Sequence, residues 1–159
     1  TSGVTKNGFV NLMNKKAKEL NLKSLYFVEP TGLDEENVGD ARDIVRLLRE
    51  ALKYGKIKEV LAKNSFELIS GNIIWSTDWL KTNWTPHSFK NVVGKTGYIE
   101  LSDYNFVVEL TDKNNHKILV AILGAADNEK RFEEARDLGE WVFENFVWPE
   151  EKGYYNLIK

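Results

Sequence analysis

The feature that most constrains the fold is a β-prone stretch in which two glycines bracket a lysine and a threonine, Val92-Val93-Gly94-Lys95-Thr96-Gly97-Tyr98-Ile99-Glu100. Glycine weakens a strand interior and usually marks a bulge or a close approach by a ligand or another backbone. Lys95 and Thr96 are predicted to lie side by side on an open strand face, where they offer a cation and a hydroxyl to an anionic, extended ligand. The strand's own N–H and C=O groups can pair with the backbone of such a ligand.

Two further strands are predicted to follow this stretch. Residues 104–111 alternate between apolar and polar side chains, as a half-buried strand does. Residues 118–123 form a continuous apolar run, which suits a central strand covered on both faces. Because a polar turn separates the two runs, we expect three neighbouring antiparallel strands. Earlier in the chain, Gly71-Asn72 indicates a hairpin, and residues 76–91 are expected to form a long loop.

Helical periodicity predicts helices before and after these strands. The first is expected over residues 8–20. Its predicted buried face consists of Phe9, Leu12, Met13, Ala17 and Leu20. Asp40 is predicted to cap a second helix, and Asp127 or Asn128 to cap the last, because carboxylate and amide oxygens accept hydrogen bonds from the first N–H groups of a helix.

These elements predict one domain of the α+β class, an antiparallel sheet flanked by helices, over residues 1–159 with a C-terminal tail at 149–159. The apolar fraction of 42% and the charged fraction of 29% exclude intrinsic disorder. A formal net charge of −2 does not indicate the basic surface that nucleic-acid binding requires. No apolar run in the sequence approaches the ~20 residues that span a bilayer, so no transmembrane segment is expected in this chain.

Few residue types are available for catalysis or metal binding. The absence of cysteine excludes disulfides, thiol catalysis and zinc–thiolate sites. His87 and His116 are predicted to be solvated loop imidazoles far apart in sequence, so neither a Ser-His-Asp triad nor a histidine metal site is expected. No glycine-rich loop opens a helix and no pair of carboxylates stands out, so no cofactor and no metal are expected.

A second cation accompanies Lys95 as a candidate for the site. Arg131 lies in the first turn of the last predicted helix, shortly after residues 118–123. If that strand neighbours the strand of Lys95, both cations converge on a carboxylate. The alternative left open is that Arg131 is an ordinary surface charge.

Four stretches together resemble the motifs of one family. They are the helix Phe9-Val10-Asn11-Leu12-Met13-Asn14-Lys15-Lys16-Ala17-Lys18-Glu19-Leu20, the turn Glu29-Pro30-Thr31-Gly32-Leu33-Asp34, the strand 94–98 with Tyr104-Asn105-Phe106 after it, and Leu123-Gly124-Ala125 followed by Arg131-Phe132. The helix is similar to a pattern Phe-Val-x-x-Met-Asn-x-Lys-Ala-x-x-Leu, the turn to Asn-Pro-x-Gly-Leu-Asp, and the strand to the Lys-Thr-Gly triad of penicillin-recognising serine enzymes. In this order the sequence resembles the serine-type D-alanyl-D-alanine carboxypeptidases, the low-molecular-mass penicillin-binding proteins.

The resemblance implies a sheet flanked by helices, of the β-lactamase/transpeptidase type, that faces an all-helical lobe across the active site. It implies that Lys95 and Thr96 bind the terminal carboxylate of a D-Ala-D-Ala stem peptide of peptidoglycan, or that of a β-lactam. The backbone N–H of Tyr98, next to Gly97, is implied as one of two oxyanion donors, and Arg131 as a substrate-binding residue that assists with the carboxylate. Because that substrate is cell wall, an extracytoplasmic location is implied as well.

The chain departs from the family in its catalytic motifs. Neither the Ser-x-x-Lys motif of the nucleophile nor the Ser-x-Asn motif can be placed in it, and both belong upstream of the Phe9 helix. The chain therefore resembles the C-terminal half to two-thirds of such an enzyme. We expect a partial domain that is inactive alone and that a missing N-terminal segment or a partner chain completes. Ile99 and Ser102-Asp103 also replace a threonine and a small Ala-Gly pair that the family usually has.

Two other classes of function remain open. One is a non-catalytic peptidoglycan-peptide-binding or interaction protein of the same fold, which keeps the groove beside Lys95 without a nucleophile. The other is a fragment that acts only as half of a fold and whose exposed apolar face needs a partner chain. A β-lactamase or transpeptidase that shares the Lys-Thr-Gly triad is a close variant of the enzyme interpretation.

Overall fold

The computed structural model describes residues 3–82 and 84–148. Its elements follow in the order α1 (Lys6–Glu19), α2 (Ala41–Ala51), α3 (Gly55–Leu61), β1 (Ser65–Glu67), β2 (Ile73–Trp75), β3 (Asn91–Ile99), β4 (Asp103–Thr111), β5 (Lys117–Ala125) and α4 (Lys130–Asn145). Helices and antiparallel strands are combined as the α+β prediction requires. The predicted tail at 149–159 lies outside the described residues.

The main sheet is antiparallel and has the strand order β3-β4-β5. The prediction of three neighbouring antiparallel strands is confirmed. The prediction that residues 118–123 form a central strand is wrong, because β4 is the middle strand and β5 lies at the edge within the described part of the chain. The apolar run has another cause. Both α2 and α4 pack against β5, where Val120 and Ala125 are buried and Leu123 stays 40% exposed, although the outer edge of the strand is not paired within the described residues.

The main core lies between this sheet and α4. It consists of Leu80, Phe89, Val92, Phe106, Val108, Leu110, Val120, Phe132 and Ala135. The rings of Phe106 and Phe132 meet edge to face with centroids 5.0 Å apart, an arrangement that favours contact between the aromatic quadrupoles. Helix α4 approaches β4 closely at Gly139, where an added Cβ would stand 2.5 Å from Leu110 Cδ1.

A second, smaller cluster joins α1 and α2. Ala17, Leu22 and Leu25 are its buried members. The prediction that α1 buries one whole apolar face is wrong for two residues, since Phe9 is 47% exposed and Leu12 is 52% exposed. The periodicity is that of an amphipathic helix, but in this turn of the helix the buried side chain is that of Val10, while those of Phe9 and Leu12 remain about half exposed.

The predicted hairpin and the predicted helix cap at Asp40 are confirmed. Strands β1 and β2 pair around Gly71, which has a left-handed φ of 83°. The Asp40 side chain accepts from the backbone N–H of Asp43 at 2.8 Å. Asp127 accepts from the backbone N–H groups of Glu129 and Lys130 at 2.9 and 2.8 Å in the turn that leads into α4, but the N-cap residue of α4 is Glu129, whose side chain makes no cap hydrogen bond, so neither Asp127 nor Asn128 is the N-cap residue as predicted.

The two histidines are not the solvated imidazoles that were predicted. His87 Nε2 lies 2.8 Å from Leu80 O, and its ring stacks on Phe89. His116 Nδ1 lies 2.9 Å from an Asp112 carboxylate oxygen. The His87 imidazole thus contacts loop backbone and the His116 imidazole a carboxylate, roles that their loop positions in the sequence did not reveal. Among the helices of residues 3–82 and 84–148, none has the length and apolarity that crossing a bilayer requires.

Candidate functional site

The Lys-Thr-Gly triad lies on β3, which pairs with β4 along its length and with no other strand of the described residues. The register places Lys95 opposite Val107 and Thr96 opposite Phe106. Because directly paired residues share a face and successive residues alternate, the two side chains start from opposite faces of the sheet. The prediction that they lie side by side on one face is therefore wrong. Strand alternation separates them, and only the unpaired edge of β3 is common to both.

Two cavities meet at this edge. The larger has a volume of about 730 Å³, and the smaller about 490 Å³. Lys95 and Thr96 line both of them. The larger cavity is otherwise walled by Leu25, Phe27, Ile44, Val107 and Leu123, and the smaller by Leu61, Phe66, Trp75, Asp78 and Lys81. A ligand that follows the edge of β3 would thus contact the ammonium and the hydroxyl from either side.

The Lys95 ammonium is exposed and donates to the carbonyl oxygen of Thr96. It forms no ion pair with any residue in the part of the chain that the structure describes. A cation without a carboxylate partner, at the junction of two cavities, is available to an anionic ligand.

The hydroxyl of Thr96 is paired with a second hydroxyl. Thr96 Oγ1 lies 2.8 Å from Oγ1 of Thr77, which belongs to the loop that follows β2. A hydroxyl can donate one hydrogen and accept others. Whichever hydroxyl donates within this pair, the other keeps its hydrogen for a third group, so the pair offers one outward donor beside Lys95.

A buried ion pair fixes the turn that carries Thr77. Asp78 is 2% exposed, and its Oδ1 accepts from the backbone N–H of Leu80 at 3.1 Å. The Lys81 ammonium lies 3.6 Å from Asp78 Oδ2 and donates to Leu61 O at 2.8 Å. Burial raises the pKa of Asp78 and lowers that of Lys81, because desolvation disfavours each charged form. Sequence reasoning missed this pair; an aspartate three residues before a lysine is too common a spacing to single it out.

Gly94 is required by the packing beneath this turn. An added Cβ would stand 2.7 Å from Phe106 Cε2 and 3.1 Å from Asp78 Oδ2. At Gly97 the nearest atom is Asn105 Cβ at 3.8 Å, which is ordinary contact. The first glycine therefore allows the close approach of the Asp78 turn, whereas a Cβ at the second would meet only ordinary contact.

Arg131 reaches the triad through the backbone. The residue is only 5% exposed, and Nη1 of its guanidinium donates to Gly97 O at 2.9 Å and to Asn105 O at 3.3 Å. Nη2 donates to Asn128 Oδ1. Arg131 was expected to converge with Lys95 on a carboxylate if β5 lay next to β3. That condition is wrong, because β4 lies between the two strands. The side chain is long enough to cross β4, and burial lowers the pKa of Arg131.

Near the end of β3, the Tyr98 side chain forms an aromatic stack. Its ring stacks on Tyr104 with centroids 4.4 Å apart. The guanidinium carbon of Arg131 lies 5.3 Å from the centroid of the Tyr104 ring, within cation–π distance. This end of β3 is thus held against β4 by a ring stack, and Arg131 of α4 lies over the Tyr104 ring of that stack.

A carboxylate that sequence reasoning did not single out shapes the wall of the larger cavity. Glu29 accepts hydrogen bonds from the backbone N–H groups of Thr31, Gly32 and Leu33 and from the side chain of Asn37. These bonds, led by the one from the Thr31 hydroxyl, lower the pKa of Glu29 to about 2. The predicted turn at 29–34 is therefore organised around the Glu29 carboxylate, which accepts hydrogen bonds from the backbone of the turn.

Comparisons with known proteins agree with this geometry. The profile of the D-alanyl-D-alanine carboxypeptidase family matches residues 1–127. A D-alanyl-D-alanine endopeptidase of Pseudomonas aeruginosa is 32% identical over 86% of this chain and 44% of its own length. One of Escherichia coli is 28% identical over 89% of this chain and 46% of its own.

A solved structure shows the same architecture. Penicillin-binding protein D2 of Listeria monocytogenes in its cefotaxime-bound form superposes with a TM-score of 0.72 at 25% identity, over 85% of this chain and 55% of that protein. The chain spans less than half the length of the curated relatives named above. With its antiparallel sheet, flanking helices and Lys-Thr-Gly edge strand, the chain belongs to the D-alanyl-D-alanine carboxypeptidase family of penicillin-binding proteins.

Proposed function

We propose that this chain supplies the substrate-binding strand of a serine D-alanyl-D-alanine carboxypeptidase that acts on peptidoglycan stem peptides. The observation that carries the proposal is the position of Lys95 and Thr96 on the unpaired edge of β3, where the two cavities meet. An extended peptide can add to such an edge as a further strand, with its backbone paired to β3.

The terminal carboxylate of the peptide is assigned to Lys95 and Thr96. The ammonium supplies charge, and the hydroxyl pair of Thr77 and Thr96 supplies a directed donor. Hydrogen bonds to an ionised carboxylate are stronger than bonds between neutral groups, so this pair selects a free C-terminus over an amidated one. A β-lactam, which also carries a carboxylate, is proposed to bind in the same place.

The backbone N–H of Tyr98 is assigned as an oxyanion donor. It follows Gly97, where no side chain obstructs the strand from the ligand side. A donor aimed at the developing negative charge of a tetrahedral intermediate is worth about 3 kcal/mol of transition-state stabilisation.

The nucleophile is proposed to come from outside this sequence. None of its serines has a lysine three residues later, so no Ser-x-x-Lys motif is present to form an acyl-enzyme. The larger cavity, with the exposed Phe9 and Leu12 of α1, offers apolar surface that a completing segment of the fold or a partner chain would cover. By itself the chain is expected to bind ligands without cleaving them.

Acylation by a labelled penicillin tests the proposal. Three proteins are compared by intact mass: this chain, the complete natural reading frame that contains it, and that reading frame with Lys95→Ala. We expect a covalent adduct on the complete protein, strongly slowed acylation in the variant and no adduct on this chain. Equal rates with and without Lys95 would remove that residue from the site. An adduct on this chain would show that it carries its own nucleophile.

The second candidate is a non-catalytic protein that binds peptidoglycan peptides in the same groove. The absence of Ser-x-x-Lys from this sequence favours it. It predicts reversible binding and no adduct even for the complete reading frame, so the same mass measurement separates the two functions. Both candidates act on cell wall, and an extracytoplasmic location is proposed for that reason alone.

A further inference from the structure

We propose that Arg131 is a positioning residue that fixes and polarises the peptide group between Gly97 and Tyr98, and thereby aims the Tyr98 N–H at the edge of β3. The naming of this N–H as an oxyanion donor depends on the function proposed above. The fixing of the peptide group does not, because it follows from the contacts of Arg131 alone.

The geometry begins with one shared peptide plane. Gly97 C=O and Tyr98 N–H belong to the same peptide group, which is planar and trans, so the two point in opposite directions. Arg131 Nη1 lies 2.9 Å from Gly97 O and 3.3 Å from Asn105 O, and these two residues are partners on β3 and β4. One nitrogen reaches both oxygens only if both carbonyls point into the space between the strands. The Tyr98 N–H then points away from β4, toward the unpaired edge.

The electrostatics favour a stronger donor at that edge. A hydrogen bond from a cation to a carbonyl polarises the amide and makes its N–H more positive, and bonds in such a chain strengthen one another in a low-dielectric interior. Arg131 is buried between the ring faces of Tyr104 and Phe132, which lie 5.3 and 4.8 Å from its guanidinium carbon. Its hydrogen-bond acceptors among the described residues are carbonyl oxygens, so its charge is not neutralised by a bonded carboxylate.

Direct contact between Arg131 and a bound ligand does not fit the same observations. The residue lines neither cavity, and β4 lies between α4 and the ligand-binding strand. Burying a cation without a bonded carboxylate costs desolvation free energy. A role for the charge on a neighbouring reactive group gives a reason for the chain to bear that cost. Arg131 therefore acts on the site through Gly97.

A nuclear magnetic resonance experiment on this chain tests the fixing without any activity. Isotope labels at glycine carbonyl carbons and tyrosine amide nitrogens give one correlation for each Gly-Tyr pair, and the sequence has two, 97–98 and 153–154. Arg131→Met removes the cation and keeps a long stem. Arg131→Gln removes the charge, keeps an amide donor and serves if the methionine variant does not fold. Arg136→Met is the matched control, since that guanidinium pairs with Asp137 on the same helix.

We expect the Gly97 carbonyl and Tyr98 amide signals to move upfield together in both Arg131 variants and to stay in place in the Arg136 variant. Signals of the 97–98 pair that do not move in a folded Arg131 variant would overturn the proposal. So would an equal movement in the Arg136 control, because the effect would then be general to α4.

Kinetics on the complete reading frame separate positioning from ligand contact. We expect Arg131→Gln to slow penicillin acylation roughly tenfold, less than the ~10²–10³-fold that loss of a whole oxyanion donor costs, and to leave non-covalent affinity for a carboxylate ligand unchanged. A loss of affinity at an unchanged acylation rate constant would overturn the positioning role. If the complete protein is never acylated while the 97–98 signals still move, the proposed function fails and the fixing of the peptide group stands.

Discussion

Removal of the Lys81 ammonium is predicted to destabilise the fold by about 3–5 kcal/mol, because it leaves a buried carboxylate without its counter-charge. The Asp78 and Lys81 side chains are 2% and 6% exposed, and their charged atoms lie 3.6 Å apart. At an effective dielectric constant of ~20, two unit charges at that separation attract by roughly 4–5 kcal/mol. The bond from Lys81 to Leu61 O is lost as well. The variant Lys81→Met keeps the length of the side chain and isolates the loss of charge.

Urea unfolding, followed by tryptophan fluorescence, measures this change in the free energy of unfolding. The matched control is Lys53→Met, which breaks the more exposed pair with Glu50 at the same i, i+3 sequence spacing and should cost about 0–1 kcal/mol. The double variant Asp78→Asn with Lys81→Met removes both charges, and we expect it to be more stable than Lys81→Met alone. A loss below about 1 kcal/mol in Lys81→Met, or strictly additive losses in the double variant, would refute the reasoning.

The pH dependence of Lys81→Met gives an independent check with a definite sign. Burial already raises the folded-state pKa of Asp78, and removal of Lys81 takes away the nearest charge that opposes this rise. An acid whose folded pKa lies above its unfolded value binds its proton more tightly in the folded state, so folding gains stability as pH falls. We therefore expect the deficit of Lys81→Met to be largest near neutral pH and to shrink as Asp78 becomes protonated. A deficit that stays constant through the acid range would contradict an electrostatic origin.

Three further outcomes are expected. Phe106→Ala should cost about 3–5 kcal/mol in urea unfolding because it empties the centre of the core, whereas Phe66→Ala on the exposed hairpin should cost far less; equal losses would contradict the assignment of the core. Glu29→Gln should lower the thermal midpoint at neutral pH, and the difference should disappear as pH falls from 4.5 through about 2, since a depressed carboxyl pKa stabilises the fold only above that range. Thr77→Val should weaken carboxylate binding at Thr96 while Thr77→Ser retains it, which a titration with a D-Ala-D-Ala peptide measures; identical affinities would remove Thr77 from the site.

The features that the sequence predicted correctly are those with local causes. Strand alternation, the Gly71 turn and the cap at Asp40 each depend on a few neighbouring residues, and each is found in the structure. The strand order could not be obtained in this way. The apolar run of β5 reflects contact with two helices and does not indicate a central position in the sheet. The sequence therefore placed β5 at the centre, whereas it lies at the edge.

The contacts that organise the site span long stretches of sequence and carry no local pattern. Arg131 reaches Gly97 from 34 residues away, and Lys81 reaches Leu61 from 20. Lys95 and Thr96 could be found as a motif, but their opposite faces follow from strand alternation, and only the register of β3 and β4 showed what each side chain faces. The motif therefore indicates candidate site residues, whereas the tertiary contacts decide which groups they can reach.

The placement of two buried charges explains how an edge strand can serve as a precise site. An edge paired on one side is held less firmly than a central strand, yet oxyanion and carboxylate donors must be fixed before the ligand arrives. Asp78 packs beneath Gly94 at one end of the triad, and Arg131 bonds Gly97 at the other. The two side chains lie near enough to each other for the Asp78 carboxylate to raise the pKa of Arg131, which opposes the lowering caused by burial. Lys95 and Thr96 thus lie between two glycines that are held from the core, so the backbone is fixed and both side chains are available to any ligand that follows the strand edge.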